Sequence, residues 1–359
     1  MESLDKVNVG SWATKIGGTV TEDQRFDSSA VTAFTWNYVP KHEALRKLYE
    51  RGKSAQWNGA TDLDWSTDVD LEQQLFDHDP VIVEEPWYKK MTPRQQNQLI
   101  IEANSQTLCQ FLHGEQGALI ATSQLVSTVH DMDAKYYAAT QVMDEARHVE
   151  VFDRYVREKL RTTYPITENL FGLLKAITED SRWDIKFLGM QLLVEGLALA
   201  AFMNTSNRCH EPLLKKLLRM VMQDEARHVA YGVLSLRGHY SQMDPKERLE
   251  RQEFVYEATI RMRDRLFSTQ AYERMGVDRK TIEDLFMRSG IIKQFRSLMF
   301  VNVVPNMKKI GLLEGFLAEK FAEMGILQLQ DFDTEGLLNS YIYGKDSLQA
   351  DQQSEPKAS

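Results

Sequence analysis

Apolar and polar positions change rhythm near residue 92. Before it, residues 1–90 keep no sustained period and mix Gly, Ser and Asp with five of the six tryptophans, Trp12, Trp36, Trp57, Trp65 and Trp87. A short helix is predicted at His42–Glu50, and the rest of this lead-in is expected to wrap over a larger body with the tryptophans as anchors. Thr92-Pro93-Arg94-Gln95 reads as an N-cap followed by proline at the first helical position. From there apolar residues recur at helical spacing to about residue 325.

Four long helices are predicted, at about Pro93–Thr128, Asp133–Arg161, Arg182–Asn204 and Pro212–Gly238, with a shorter one at Glu168–Glu179. More helices are expected at roughly 246–273, 280–297 and 303–324. No alternating strand pattern appears, so the chain reads as all-α. The organisation expected is a lead-in over 1–90, a core over 91–240, completing helices over 241–343 and a polar, disordered tail over 344–359.

The apolar stripes of the four long helices carry charge where none is expected. On the first, Leu108, Phe111, Leu112, Glu115, Ala118, Leu119, Thr122 and Leu125 align. The third aligns Gln191, Leu192, Glu195, Ala198, Leu199 and Phe202, and the fourth Leu214, Leu217, Leu218, Val221, Glu225 and His228. On the second, Val142, Val149, Phe152 and Val156 flank Glu145 and His148. An unpaired ionised carboxylate on an apolar face is very costly, and four of them require cations.

The charges also repeat. Asp144-Glu145-Ala146-Arg147-His148-Val149 returns unchanged as Asp224-Glu225-Ala226-Arg227-His228-Val229. A lone glutamate leads each copy at the same interval, Glu115 before Glu145 and Glu195 before Glu225. Glu115-x-x-Ala118-Leu119-x-Ala121 likewise echoes Glu195-x-x-Ala198-Leu199-x-Ala201, so each half is a helix pair and an approximate internal two-fold axis is expected. Helix positions i and i+3 share a face, so Glu145 with His148, and Glu225 with His228, can each grip an ion from one turn.

Two such turns facing each other hold two ions. Glu115 and Glu195, the candidate catalytic carboxylates, can bridge them or complete their shells. A metal-bound imidazole needs its other N–H held, commonly by a carboxylate. That role is assigned to Asp144 toward His228 and Asp224 toward His148, across the two-fold. His113 and His130, off the ligand face of the first helix, and His210 read as structural, as do Tyr155, Tyr231 and Tyr240. Gly117, Ala118, Ala121, Gly196 and Ala198 fit either room for a substrate or close helix packing.

Composition narrows the class. At 359 residues the chain can bury a large core, and its 43% apolar and 26% charged content is that of a globular protein. A net charge of −9 without a basic block argues against nucleic acid. Sparse Cys109 and Cys209 fit a reducing cytoplasm better than a disulfide framework. The N-terminus carries no signal-peptide pattern, and the nearly apolar run Met190–Met203 is too short to span a bilayer.

With this ligand pattern the chain resembles the ferritin-like di-iron carboxylate oxidases, most closely ribonucleotide reductase small subunits and the small-subunit-like ligand-binding oxidases. The likeness covers about residues 44–240. It takes in Leu45-Arg46-Lys47-Leu48-Tyr49, Gly52, Trp57, Asp62-Leu63-Asp64-Trp65, Phe111-Leu112-His113-Gly114-Glu115 and both repeated hexapeptides. It implies an all-α, ferritin-like four-helix bundle with a dinuclear metal centre, extended by additional helices. Phe152 stands where the small subunits carry their radical tyrosine, and Glu115 where many have aspartate. Ala118 and Met190 occupy the cross-link positions of the ligand-binding oxidases, which rules that cross-link out. Leu199 replaces the threonine of multicomponent monooxygenases, and Val221 the third histidine of arylamine N-oxygenases.

The resemblance implies a di-iron oxidase or monooxygenase that activates dioxygen to hydroxylate, desaturate or N-oxygenate a small organic substrate. Its cofactor is two iron ions, with manganese–iron as the alternative pair. No flavin, nicotinamide or iron–sulfur motif appears, so a separate ferredoxin or flavoprotein reductase is expected. A homodimer is implied by the resemblance, and no membrane partner is expected. A radical or manganese–iron small-subunit-like protein, a ferroxidase and a vestigial scaffold are the competing readings.

Overall fold

The computed structural model describes residues 24–264, 269–288 and 299–343. Trp12 and the tail over 344–359 lie outside them. Helix α1, Glu43–Ser54, opens the described lead-in. Helix α2, Pro93–Thr128, starts on a reciprocal cap: Gln95 N donates to Thr92 Oγ1 at 3.3 Å and Thr92 N to Gln95 Oε1 at 2.9 Å. Such a cap is worth about 1 kcal/mol. Helix α3, Met132–Arg154, is capped by Asp131, which accepts from Ala134 N at 2.9 Å. It runs on through a widened π turn, Tyr155–Leu160, and stops at Arg161, whose φ of 57° no helix continues.

After α4, Glu168–Glu179, helix α5 spans Trp183–Arg208 and contains a second π turn, Leu188–Val194, directly before Glu195. Such turns recur at functional sites because they re-aim the residues that follow. Helix α6, Pro212–Leu236, begins where Glu211 accepts from the N–H groups of Leu213 and Leu214, both at 2.7 Å. Helix α7, Pro245–Asp264, follows. Among the described residues there is no strand, only an isolated bridge between Phe76 and Cys209.

Helices α2, α3, α5 and α6 form the bundle, and one hydrophobic core runs from Leu45 to Leu338. The lead-in and the C-terminal helices therefore share the core of the bundle. Helix α5 corrects one expectation, because it is long and apolar enough to cross a membrane. Yet 89% of its apolar window is buried inside the protein, the situation of a core helix.

The C-terminal region departs from the predicted helices. The stretch expected as one helix over 303–324 is two, Val304–Lys309 and Gly315–Glu323. Gly311 at φ 78° and Gly315 at φ 47° turn the chain between them, conformations that β-carbon-bearing residues avoid. Gln270–Arg274 is separate from α7, Arg279–Arg288 covers the described part of the next helix, and Thr334–Tyr343, not anticipated, packs on α6.

One small residue serves close packing. A β-carbon on Gly117 would lie 2.4 Å from Leu174 Cδ2, whereas one on Gly196 would meet Val303 Cγ2 at an ordinary 3.4 Å. Ala118 and Ala121 are buried; Gly117 also borders a cleft of about 810 Å³ beside Leu112 and His113, and Ala198 lines a cavity of about 230 Å³ shared with Phe111 and Ala201. None of the candidate ligands lines that cavity.

Candidate metal centre

Helices α2, α3, α5 and α6 bring Glu115, Glu145, His148, Glu195, Glu225 and His228 together, and each is at most 5% exposed. Glu115, Glu145, His148 and Glu225 form one group with donor atoms within 4.8 Å of one another; Glu145, Glu195 and His228 form another. His148 Nδ1 lies 3.0 Å from Glu225 Oε1, 3.2 Å from Glu115 Oε2 and 3.6 Å from Glu145 Oε2. His228 Nδ1 lies 3.2 Å from Glu145 Oε1 and 3.5 Å from Glu225 Oε2. Each imidazole is thus nearer the glutamate of the opposite turn than that of its own.

The geometry sets the four carboxylates apart in pairs. Glu145 and Glu225 stand between the imidazoles, whereas Glu115 and Glu195 fall in separate groups at opposite flanks. Helical spacing gave no means of ranking the four carboxylates.

The far imidazole nitrogens face aspartates across the two-fold. His148 Nε2 is 3.0 Å from Asp224 Oδ2, and His228 Nε2 is 3.2 Å from Asp144 Oδ2. Arg147 donates to Asp144 at 2.5 Å and to Asp224 at 3.0 Å, and Arg227 donates to Asp224. The arginines therefore balance the aspartates and leave the glutamates uncompensated. Two lead-in residues, unassigned by sequence reasoning, complete this layer. Gln56 donates to Asp144 at 2.7 Å and accepts from Arg147 at 2.7 Å; Trp57 Nε1 donates to Asp224 at 2.7 Å beneath the Arg147 guanidinium. The tryptophan-rich composition of the lead-in was the available signal.

The charge count tests whether metal fits. Asp144 and Asp224 cancel against Arg147 and Arg227, so four glutamates remain beside two imidazoles. Two divalent cations neutralise those four charges. Among the described residues, Glu145 Oε2, Glu195 Oε2, Glu225 Oε1 and His228 Nδ1 are buried without a hydrogen bond, lone pairs that a cation would occupy. Hard carboxylate oxygens with imidazole suit iron or manganese. The residues fit a dinuclear centre.

Without metal, protons take the place of that charge. Burial holds Glu115 and Glu195 well above the usual carboxylate range, and neighbouring glutamates add to it. Burial would raise Glu145 too, but His228 and His148 pull it below its ordinary value. Burial would lower both imidazoles, yet the surrounding carboxylates hold His148 and His228 well above theirs. Ligands must be deprotonated to bind. Metal loading is therefore expected to release protons, measurable with an indicator dye, and to weaken as pH falls. Loading without proton release and independent of pH between about 6 and 8 would contradict this.

The remaining candidates lie outside the cluster. His113 Nε2 meets Tyr164 O at 2.9 Å; His130 falls beyond the end of α2, edge-on to Trp183; His210 precedes the cap of α6 and pairs with Asp77 at 2.8 Å. Tyr155 donates to Glu211 at 2.8 Å and Tyr231 to Ala134 O at 2.9 Å, while Tyr240 is fully buried.

A helical bundle with paired Glu-x-x-His turns is the architecture of the ferritin-like di-iron oxidases and oxygenases, and this chain is one of them. The sequence profile described as P-aminobenzoate N-oxygenase AurF matches residues 40–311, and the chain belongs to that family of di-iron oxygenases. It does so with Val221 in place of a third histidine. No curated protein matches it. Among solved structures it is similar to a mutant R2-like ligand-binding oxidase with an anaerobically reconstituted Mn/Fe cofactor. That match has 16% identity, covers 75% of this chain and 94% of that one, and has a TM-score of 0.41. It is also similar to the R2-like ligand-binding oxidase from Sulfolobus acidocaldarius, at 20% identity, 73% and 92% coverage and a TM-score of 0.36. The assignment rests on neither.

Proposed function

We propose that this protein is a di-iron N-oxygenase acting on a small aromatic amine, with Glu115, Glu145, His148, Glu195, Glu225 and His228 as its metal ligands. The observation that carries the reading is the pair of facing Glu-x-x-His turns inside a chain of this family. Bound iron supplies the reductive activation of dioxygen. Glu145 and Glu225, each within 3.6 Å of both imidazoles, would be the residues available to both positions. Asp144 and Asp224 accept the Nε2–H of His228 and His148 and so fix each Nδ1 as the donor toward metal. Phe111, Phe152 and Phe202 pack with centroids 4.6–6.0 Å apart and close one end of the site to water.

The test is reconstitution with ferrous iron, addition of an electron donor and a panel of aryl amines, hydroxylatable arenes and aliphatic substrates. Oxygen uptake coupled to N-oxygenated product from aryl amines is expected. Iron oxidation that leaves every substrate unchanged would indicate a ferroxidase instead. The electrons are assigned to an external ferredoxin or flavoprotein reductase, and the location to a reducing cytoplasm, where the buried free thiols of Cys109 and Cys209 persist.

The protein is also proposed to be a homodimer, with the outer face of α2 and α3 as its interface. Glu115 is the one Asp, Glu, Lys or Arg between Ala103 and Val129. The two halves differ here. Ile120 is 46% exposed where its counterpart Ala200 is 1%, and Ala146 is exposed where Ala226 is buried. Met143, 61% exposed, extends the patch. A second copy would cover the first half as the C-terminal helices cover the second, and interface centres are depleted of charge in this way. Light scattering should give a dimer for the wild type and a monomer for Ile120→Lys. A monomeric wild type would refute the interface.

A further inference from the structure

The ligands obey the internal two-fold, but the side chains around them do not. The register of the repeat pairs Phe111 with Gln191, Phe152 with Gly232, Phe202 with Thr122, and Val221 with Gln141. At one end the three phenylalanines and Val221 are buried. At the other, Gln191 Nε2 lies 3.4 Å from Thr122 Oγ1, and a β-carbon on Gly232 would come within 2.7 Å of Gln191 Cβ. One end of the site is aromatic and the other is built of amides.

Gln141 occupies the decisive position. It sits one helical turn before Glu145, is fully buried, and its Nε2 donates to Glu145 Oε1 at 2.9 Å and Glu195 Oε1 at 2.8 Å. Its Oε1 has no hydrogen-bond partner among the described residues. The two carboxylates it holds are those grouped with His228. Glu145 is shared with the group of Glu115, His148 and Glu225, whereas Glu195 belongs to the His228 group alone. The counterpart of Gln141 across the two-fold is Val221, which has no donor to offer.

We propose that Gln141 is a positioning residue that makes the two metal positions unequal. By fixing Glu145 and Glu195 it pre-orders both carboxylates grouped with His228, while the position at His148 shares only Glu145 and takes Glu115 and Glu225, to which Gln141 does not donate. The two ions then bind in two distinguishable steps, the first at His228. This inference rests on the ligand assignment above.

The test is an anaerobic titration with cobalt(II), followed by calorimetry and visible absorption, of the wild type, Gln141→Leu and Val221→Gln. Leucine keeps the volume of Gln141 without the amide. Two resolved steps are expected in the wild type. Gln141→Leu should weaken one step about 10–100-fold, the usual effect of removing a partner behind a metal ligand, and change one set of cobalt bands while the other stays. Val221→Gln, which leaves Gln141 in place, should narrow the gap between the steps. Two steps in the wild type, both unmoved or equally weakened in Gln141→Leu, overturn the role of Gln141 and leave the ligands standing. A wild type that binds no cobalt overturns both.

Discussion

Replacing Glu115 or His228 with alanine is expected to reduce metal binding by at least one ion per chain and to abolish oxygen chemistry while leaving the helices intact. Both residues sit inside long helices, α2 and α6, whose caps and apolar contacts do not involve them. Their side chains contribute to the cluster and to little else: Glu115 faces His148 at 3.2 Å, and His228 faces Glu145 at 3.2 Å and Asp144 at 3.2 Å. Removing Glu115 takes one negative charge from the four that match two divalent ions, together with a donor from the His148 group. Removing His228 takes the sole imidazole from the other group. Circular dichroism should stay near the wild-type trace while metal analysis falls. Full metal content and unchanged oxygen uptake in either variant would mean that the ligand set is wrong.

The largest loss of stability is expected from Asp224→Ala. Asp224 is 1% exposed and gathers Trp57, Arg147, Arg227 and His148 around one carboxylate. Alanine would leave Arg227, itself 2% exposed, without its carboxylate, and Trp57 Nε1 without its acceptor. Breaking a buried ion pair by deleting one partner costs about 3–5 kcal/mol, beyond the range of most substitutions. Asp224→Asn keeps the shape but turns a donor toward the guanidinium, so it should lie between alanine and wild type. Urea unfolding of the metal-free protein reads the difference as a shift in midpoint. A loss below about 1 kcal/mol would show that water or Asp144 takes over the role.

Sequence made the six candidate ligands legible because helical spacing converts positions into faces. An i, i+3 Glu–His pair has one possible geometry, and the unchanged return of the hexapeptide says that two of them face each other. The same reasoning reached Asp144 and Asp224. What it missed lies where spacing carries no information. Gln56 and Trp57 arrive from an irregular segment whose path no periodicity encodes. The π turn before Glu195 has no signature in a run of Leu, Gly, Met, Gln and Val. Gly117 could be read either way until Leu174 was seen against it. Gln141 was visible one turn before Glu145, but only the contact with Glu195 from another helix gives it meaning.

Four buried glutamates and two imidazoles have the donors and the charge to hold two metal ions. Anaerobic titration of the wild type with ferrous iron, followed by metal analysis after removal of excess, tests this most directly. About two irons per chain, falling in Glu115→Ala and His228→Ala, is the result this account predicts. A wild-type chain that retains no iron and no manganese, with its helices intact, would contradict it.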